Sequence, residues 1–257
     1  RGLVGSEMCI RDSLPGARHA HLDQHLSVHG NAPRASGGRH PLPTREAFAA
    51  WLADCGLQPG QQVVVYDRQG ANYCGRLWWM LKWCGHEAVA VLDGGFQAWL
   101  AAGGALETGD PMPAVPGGFV LQPSRAPVLG TAELAARLGD PAQTVLDARA
   151  AARFRGEVEP LDPVAGHIPG ALNRPFADNL GPDGRFKSAE QLRAEFAQLL
   201  AGRDPAGVVH HCGSGVSAVP NLLAMEVAGL GRAALYPGSW SEWCNTPGLP
   251  CARTQAH

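Results

Sequence analysis

The sequence of 257 residues has no long hydrophobic run and no marked excess of one charge. No apolar stretch approaches the ~20 residues that a membrane-spanning helix requires. Charged residues make up 17% of the chain and the formal net charge is -2, so the basic surface typical of nucleic-acid-binding proteins is missing. We therefore expect a globular protein without a membrane or nucleic-acid partner.

Cysteines at metal-binding or redox spacing are also missing. The seven cysteines are an odd number and include no Cys-x-x-Cys pair, which argues against a zinc ribbon and a disulfide framework. The spacing of His19, His21, His25 and His29 fits no common metal signature. We expect no metal or other cofactor, and we expect a reducing compartment, the cytoplasm.

Residues 1–13 do not read as the start of a domain. They lack the succession of basic, apolar and small residues of a signal peptide. Their sequence resembles a translated sequencing adapter, so we expect an artefact there. On this interpretation the true amino terminus is missing, and the first domain lacks its leading strand.

The chain contains an internal repeat. The matching stretches are 14–17 and 168–171, 63–67 and 208–212, and 93–99 and 237–243. Strands alternate with helices in each half, which predicts parallel sheets flanked by helices. We therefore predict an α/β protein of two tandem domains, 14–105 and 129–250, joined by a linker at 106–128. Among the helices, we expect Thr131 to cap one over 132–138 and Ser188 to cap one over 189–201.

Cys212 occupies a distinctive place in the second half. It follows the apolar strand residues Val208 and Val209 and begins a Gly-rich turn that leads into a helix supported by Pro220. Ligands of open α/β sheets bind at such strand ends, and the free N–H groups of the turn favour an anion. The same field favours thiolate, the nucleophilic form of cysteine. A buried structural cysteine is the alternative.

The first half carries Asp67 where the second carries Cys212. A carboxylate is a poor nucleophile toward sulfur, so we expect chemistry only in the second half.

Several motifs together resemble those of 3-mercaptopyruvate sulfurtransferases, members of the rhodanese superfamily. In the second half they are 147–149, 153–156, 159–160, 166–171, 212–218 and 238–243. In the first half they are Asp23-Gln24, His40, Leu42-Pro43 and 93–96. The resemblance extends over nearly all of residues 14–248.

This resemblance implies transfer of a sulfane sulfur through a persulfide on Cys212. The acceptor would be a thiol, such as thioredoxin or glutathione, or cyanide. The N–H groups of the turn would stabilise the persulfide. The implied turn residues are Gly213, Gly215, Val216 and Ser217.

The turn also indicates the donor. Gly213 and Ser214 are uncharged, whereas relatives that prefer the thiosulfate dianion carry a basic pair there. The resemblance implies that Ser214, His40 and Asp23 transfer the proton on the pyruvate enol. It also implies that Arg153 binds the carboxylate of the substrate.

One position departs from this pattern. Mercaptopyruvate enzymes usually place a second substrate arginine nine residues after the first, and that position is Asp162 here. Arg155 and Arg174 are the replacements that the sequence offers.

Alternative functions remain open. A thiosulfate:cyanide sulfurtransferase would differ only in its donor, and a persulfide carrier would form the persulfide with little turnover. A cysteine phosphatase needs an arginine six positions after the cysteine, where this chain has Ala218. His210 and His211 precede the cysteine on a strand, so their side chains are expected on opposite faces, away from a catalytic dyad.

Overall fold

The computed structural model describes residues 12–109 and 115–254. The elements of the first half are α1 (Arg45–Asp54), β1 (Val63–Val65), α2 (Cys74–Trp83), β2 (Val89–Val91) and α3 (Gly95–Ala101). Strands β1 and β2 pair in parallel, with Val63 opposite Val89. Most of the predicted artefact, residues 1–11, lies outside the described residues. Ser13 pairs with Glu107 in an antiparallel bridge.

The second half contains a four-stranded parallel sheet in the order β4-β3-β5-β6. Its elements are α4 (Thr131–Ala136), β3 (Thr144–Asp147), α5 (Ala151–Arg155), β4 (Leu172–Asn173), α6 (Ala189–Leu200), β5 (Val208–His211), α7 (Val219–Val227), β6 (Ala234–Leu235) and α8 (Ser239–Trp243). Short 3₁₀ helices occupy Phe176–Asn179 and Pro205–Gly207. The predicted α/β class with parallel sheets is confirmed.

The two predicted helix caps have different outcomes. Ser188 caps α6, because its hydroxyl accepts the N–H of Gln191 at 3.3 Å. The prediction for Thr131 is wrong, since the residue lies inside α4 and Gly130 precedes the helix. Glu133 accepts the Gly130 N–H instead, and the Thr131 hydroxyl bonds to the Tyr236 hydroxyl at 2.8 Å.

Helices α2 and α7 join the halves through a shared apolar core. Met80 of α2 and Leu222 of α7 belong to the same buried cluster. Gly75 of α2 faces Val219 of α7, since a Cβ built on Gly75 would lie at ordinary contact distance, 3.4 Å, from a methyl of Val219. Burial of this kind stabilises by about 25 cal/mol per Å² of apolar surface, so the halves are held by a core rather than by surface contacts alone.

Ion pairs lie at the edge of that core. Lys82 of α2 pairs with Glu226 of α7 at 2.6 Å, and Arg232 pairs with Glu87 at 2.8 Å. Both pairs join the first half to the second. The exposed one contributes about 1 kcal/mol or less.

The chain between the halves runs along the first half before it enters the second. The Gly117 N–H donates to the Ala53 carbonyl, and Val128 pairs with Leu235 beside β6. Residues 110–114 of the predicted linker lie outside the described residues, and the domain boundaries 14–105, 106–128 and 129–250 stay predictions. Within 12–109 and 115–254, no helix combines the length and apolar character needed to cross a bilayer.

Candidate active site

Cys212 follows β5 directly, and helix α8 fixes its backbone. Its N–H donates to the Ser239 hydroxyl at 3.1 Å, and its carbonyl accepts the Trp240 N–H at 3.0 Å. The residue is 2% exposed. The predicted cysteine therefore lies at a sheet end in a defined and buried position.

The turn after Cys212 presents free donors. Among the residues that the structure describes, nothing accepts a hydrogen bond from the backbone N–H groups of 213–217. Gly215 has φ +74°, and a Cβ there would lie 2.2 Å from the Pro237 carbonyl oxygen. Only glycine fits this approach. The predicted turn residues Gly213, Gly215, Val216 and Ser217 thus keep backbone N–H groups available to an anion.

The structure brings Ser214 and His40 together across the two halves. The Ser214 hydroxyl lies 2.7 Å from Nδ1 of His40, and Asp23 Oδ1 lies 3.6 Å from Nε2 of the same ring. Burial lowers the pKa of His40 to about 4, and the nearby Arg76 charge adds to this effect. The imidazole is therefore neutral at pH 7. Asp23 is half-exposed and lies equally far from His29, so it is more loosely placed than the other two.

Arg153 lies beside the turn and is held by two carboxylates. Its Nη2 donates to Glu159 Oε1 at 2.6 Å and lies 3.5 Å from Asp162 Oδ2. Its Nε reaches the other Glu159 oxygen at 3.3 Å. The ion pair with Glu159 fixes the guanidinium rather than removing it from the site, because Nη1 lies close to Gly213.

Arg39 is a functional candidate that sequence reasoning missed. Its guanidinium pairs with Asp162 and its backbone N–H donates to the Ser241 hydroxyl at 3.0 Å. The sequence offered one signal, the position of Arg39 next to His40. The partner Asp162 lies 123 positions away, so no local pattern could pair them.

The two arginines that the sequence offered as replacements are engaged elsewhere. Arg155 is exposed and pairs with Glu157 at 2.5 Å. Arg174 is buried, where it binds Asn179 at 2.8 Å and Glu195 at 2.7 Å.

Another arginine, Arg76 of α2, is fully buried beneath the turn. It donates to the carbonyls of Leu26, His40 and Gly215 at 2.8–3.0 Å. Burial lowers its pKa to about 10, and the charge on Cys212 opposes that shift. Arg76 therefore remains cationic at neutral pH and places a positive charge below the cysteine loop.

The histidines before the cysteine pack against different neighbours. Nε2 of His210 lies 3.0 Å from the Met225 sulfur. Nδ1 of His211 lies 3.2 Å from the Cys212 carbonyl, and its Nε2 lies 3.6 Å from Asp147. Both rings are fully buried. Within the described part of the chain, no group of three or more His, Cys, Asp or Glu residues could hold a metal.

A family model described as the rhodanese-like domain matches residues 10–102 and 130–246. The chain belongs to the rhodanese-like family. Both matched segments carry the fold, and the second contains Cys212 and its turn.

Relatives of this rhodanese-like chain carry sulfurtransferase names. It is 47% identical to "Probable 3-mercaptopyruvate sulfurtransferase" of Pseudomonas aeruginosa, over 96% of this chain and 87% of that protein. It is 33% identical to thiosulfate sulfurtransferase of Bos taurus, over 94% and 86% of the two chains. These names support a sulfurtransferase enzyme.

The structure of SseA from Escherichia coli, described as a 3-mercaptopyruvate sulfotransferase with the rhodanese fold, is also similar. The TM-score is 0.75 and the identity is 32%, covering 90% of this chain and 84% of that one.

In the first rhodanese-like half, the carboxylate of Asp67 occupies the turn that corresponds to the cysteine loop. The Asp67 carboxylate accepts backbone N–H groups within its own turn at 2.8–3.0 Å, from Gln69, Ala71, Tyr73 and Cys74. The donors that could bind a reacting anion are thus occupied by a side chain of the loop itself. That chemistry is confined to the second half stays a prediction.

Proposed function

We propose that this protein moves a sulfane sulfur from 3-mercaptopyruvate to a thiol or to cyanide, through a persulfide on Cys212. The proposal rests on one observation. Cys212 begins a turn whose N–H donors have no acceptor, and the Ser214–His40 pair lies in the same site. The relatives named above support the same reaction class.

The first step forms the persulfide. The Cys212 thiolate makes an S–S bond to the donor sulfur while the bond from that sulfur to C3 of the donor breaks. The electron pair of the broken bond passes to C3 and gives the enolate of pyruvate. The outer sulfur stays on Cys212 with its proton, and the N–H groups of 213–217 stabilise the anionic form of the persulfide.

The enolate needs one proton at C3 to become pyruvate. Ser214 and neutral His40 share a proton across 2.7 Å, and we assign the transfer to this pair. The proton that the persulfide releases when it ionises returns to the pair through water, so the step balances. The Asp23 carboxylate faces the other side of the ring, 3.6 Å from Nε2.

The second step returns the enzyme to its starting state. A thiolate or cyanide attacks the outer sulfur, the S–S bond breaks, and Cys212 leaves as thiolate. A thiol such as thioredoxin or glutathione becomes a persulfide, and cyanide becomes thiocyanate. We further propose a reducing compartment, the cytoplasm, because all six cysteines of the described residues are free.

A second candidate is the thiosulfate:cyanide reaction. The bovine relative of that name favours it. The uncharged pair Gly213 and Ser214 favours mercaptopyruvate, because a dianion lacks a basic partner within the turn.

The experiment that decides between them compares thiocyanate formation from both donors with cyanide as acceptor. We expect kcat/KM for 3-mercaptopyruvate to exceed that for thiosulfate by about tenfold or more. The Cys212→Ser variant serves as the blank. A preference for thiosulfate would make the second candidate correct, and persulfide formation without turnover would indicate a carrier.

A further inference from the structure

Three guanidinium nitrogens surround one point above the cysteine loop. A Cβ built on Gly213 would lie 3.0 Å from Nη2 of Arg39, and 3.5 and 3.7 Å from Nη1 and Nη2 of Arg153. Apart from atoms of Gly213 and its two chain neighbours, these are the three heavy atoms nearest to that point. Gly213 follows Cys212 directly, so both cationic groups lie beside the residue next to the reacting cysteine.

Two of the three nitrogens near this point are not used by the carboxylates. Arg39 donates to Asp162 through Nη1, and Arg153 donates to Glu159 through Nε and Nη2. Within 12–109 and 115–254, Arg39 Nη2 and Arg153 Nη1 have no hydrogen-bond acceptor. Two donors therefore converge on the site from different arginines.

Asp162 sets the position of both groups. Its carboxylate is 2% exposed, pairs through Oδ1 with Arg39, and lies 3.5 Å through Oδ2 from Arg153. The Ser241 hydroxyl holds the Arg39 backbone at the same time. Arg39 is therefore organised before a ligand arrives, while 30% of its side chain stays open to solvent.

The charges of this cluster balance. Arg39 and Arg153 face the carboxylates Asp162 and Glu159. Glu159 also pairs with Arg149, whose charge is matched by Asp147. The free nitrogens can donate hydrogen bonds to one anion without leaving a large excess of positive or negative charge. Paired guanidinium donors suit the planar geometry of a carboxylate.

We propose that Arg39 binds the carboxylate of the sulfur donor together with Arg153, and so takes the place of the arginine that Asp162 lacks. The inference rests on the proposed function. Arg39 belongs to the first half and Cys212 to the second, so the donor site is complete only when the halves are packed together.

The test measures binding separately from turnover. Pyruvate is the probe, because it carries the carboxylate and no sulfur. Calorimetry compares its affinity for Cys212→Ser protein with and without Arg39→Gln, and the matched control is Arg155→Gln, an exposed arginine paired outside the site. We expect Arg39→Gln to weaken pyruvate binding about tenfold or more, and the control to leave it unchanged.

Steady-state kinetics supply the second readout. Arg39→Gln should raise KM for 3-mercaptopyruvate about tenfold and change kcat by less than about threefold. Arg39→Lys, which keeps the charge for Asp162, should recover part of the affinity. Unchanged pyruvate affinity in Arg39→Gln would overturn the inference, as would a fall in kcat with KM unchanged. Inactivity of the parent enzyme toward 3-mercaptopyruvate would instead contradict the proposed function, because pyruvate binding does not depend on turnover.

Discussion

The hydroxyl of Ser214 and the ring of His40 meet at 2.7 Å although 174 positions separate them in the chain. Burial lowers the pKa of His40 to about 4, so the ring is uncharged around pH 7. A neutral ring next to a hydroxyl can pass a proton without first losing one to solvent. Only a donor that leaves a carbanion needs that proton.

Replacement of Ser214 by alanine should therefore affect the two donors unequally. We expect kcat/KM for 3-mercaptopyruvate to fall by about 10²-fold, the usual contribution of general acid catalysis, and that for thiosulfate to fall far less. Steady-state assays with both donors on the same preparation measure the ratio. Equal losses would remove Ser214 from donor-specific chemistry.

The sequence could predict the residues of the cysteine loop, since strand, turn and helix signals lie together in 208–220. It could not predict Arg39, because the orientation of that side chain depends on Asp162 in the other half. The sequence offered Arg155 and Arg174 in its place. In the structure Arg155 pairs with Glu157 and Arg174 pairs with Glu195.

At the scale of elements, the turn between β5 and α7 holds its shape through close backbone approach. Gly215 combines φ +74° with a carbonyl of Pro237 in the space of a Cβ. Gly170 has a similar φ of +78° but nothing within 4 Å of its Cβ position. Alanine substitutions at these two glycines therefore separate the free-energy cost of the left-handed backbone from the cost of the clash with Pro237.

Alanine at position 170 should cost about 1–2 kcal/mol, the penalty for a left-handed residue other than glycine. Alanine at position 215 should cost more and should also reduce sulfur transfer strongly, because the 213–217 donors move. Thermal unfolding and the thiocyanate assay measure both effects. The same melting temperature and activity in the two variants would show that the Pro237 contact does not fix the turn.

Strand and helix order could be predicted from hydrophobic spacing, whereas exact ends could not. Thr131 has the residue type of a cap but lies one residue inside α4, because its hydroxyl bonds to Tyr236 in the folded protein. That contact is tertiary and leaves no local signal.

At the scale of the whole molecule, Arg76 connects the halves beneath the site. Its guanidinium joins the Leu26 and His40 segments of the first half to the Gly215 carbonyl of the second. The internal repeat predicted two similar halves, but it contained no information about how α2 and α7 would pack.

Replacement of Arg76 by methionine should lower the free energy of unfolding by about 2–4 kcal/mol, because buried carbonyls of both halves lose their donor. Arg193→Met is the matched control, since Arg193 donates to the Ala228 carbonyl within the second half. Urea unfolding measures both variants. If Arg76→Met lowers the free energy of unfolding no more than the control does, Arg76 does not hold the two halves together.

Every step of the proposed reaction passes through a persulfide on Cys212, and intact-protein mass spectrometry detects this species. The protein is treated with 3-mercaptopyruvate and no acceptor, in parallel with Cys212→Ser. We predict that the unmodified sequence gains the mass of one sulfur atom, that Cys212→Ser gains none, and that cyanide removes the added sulfur as thiocyanate. No added sulfur on the unmodified sequence, or an equal gain in Cys212→Ser, would contradict the account.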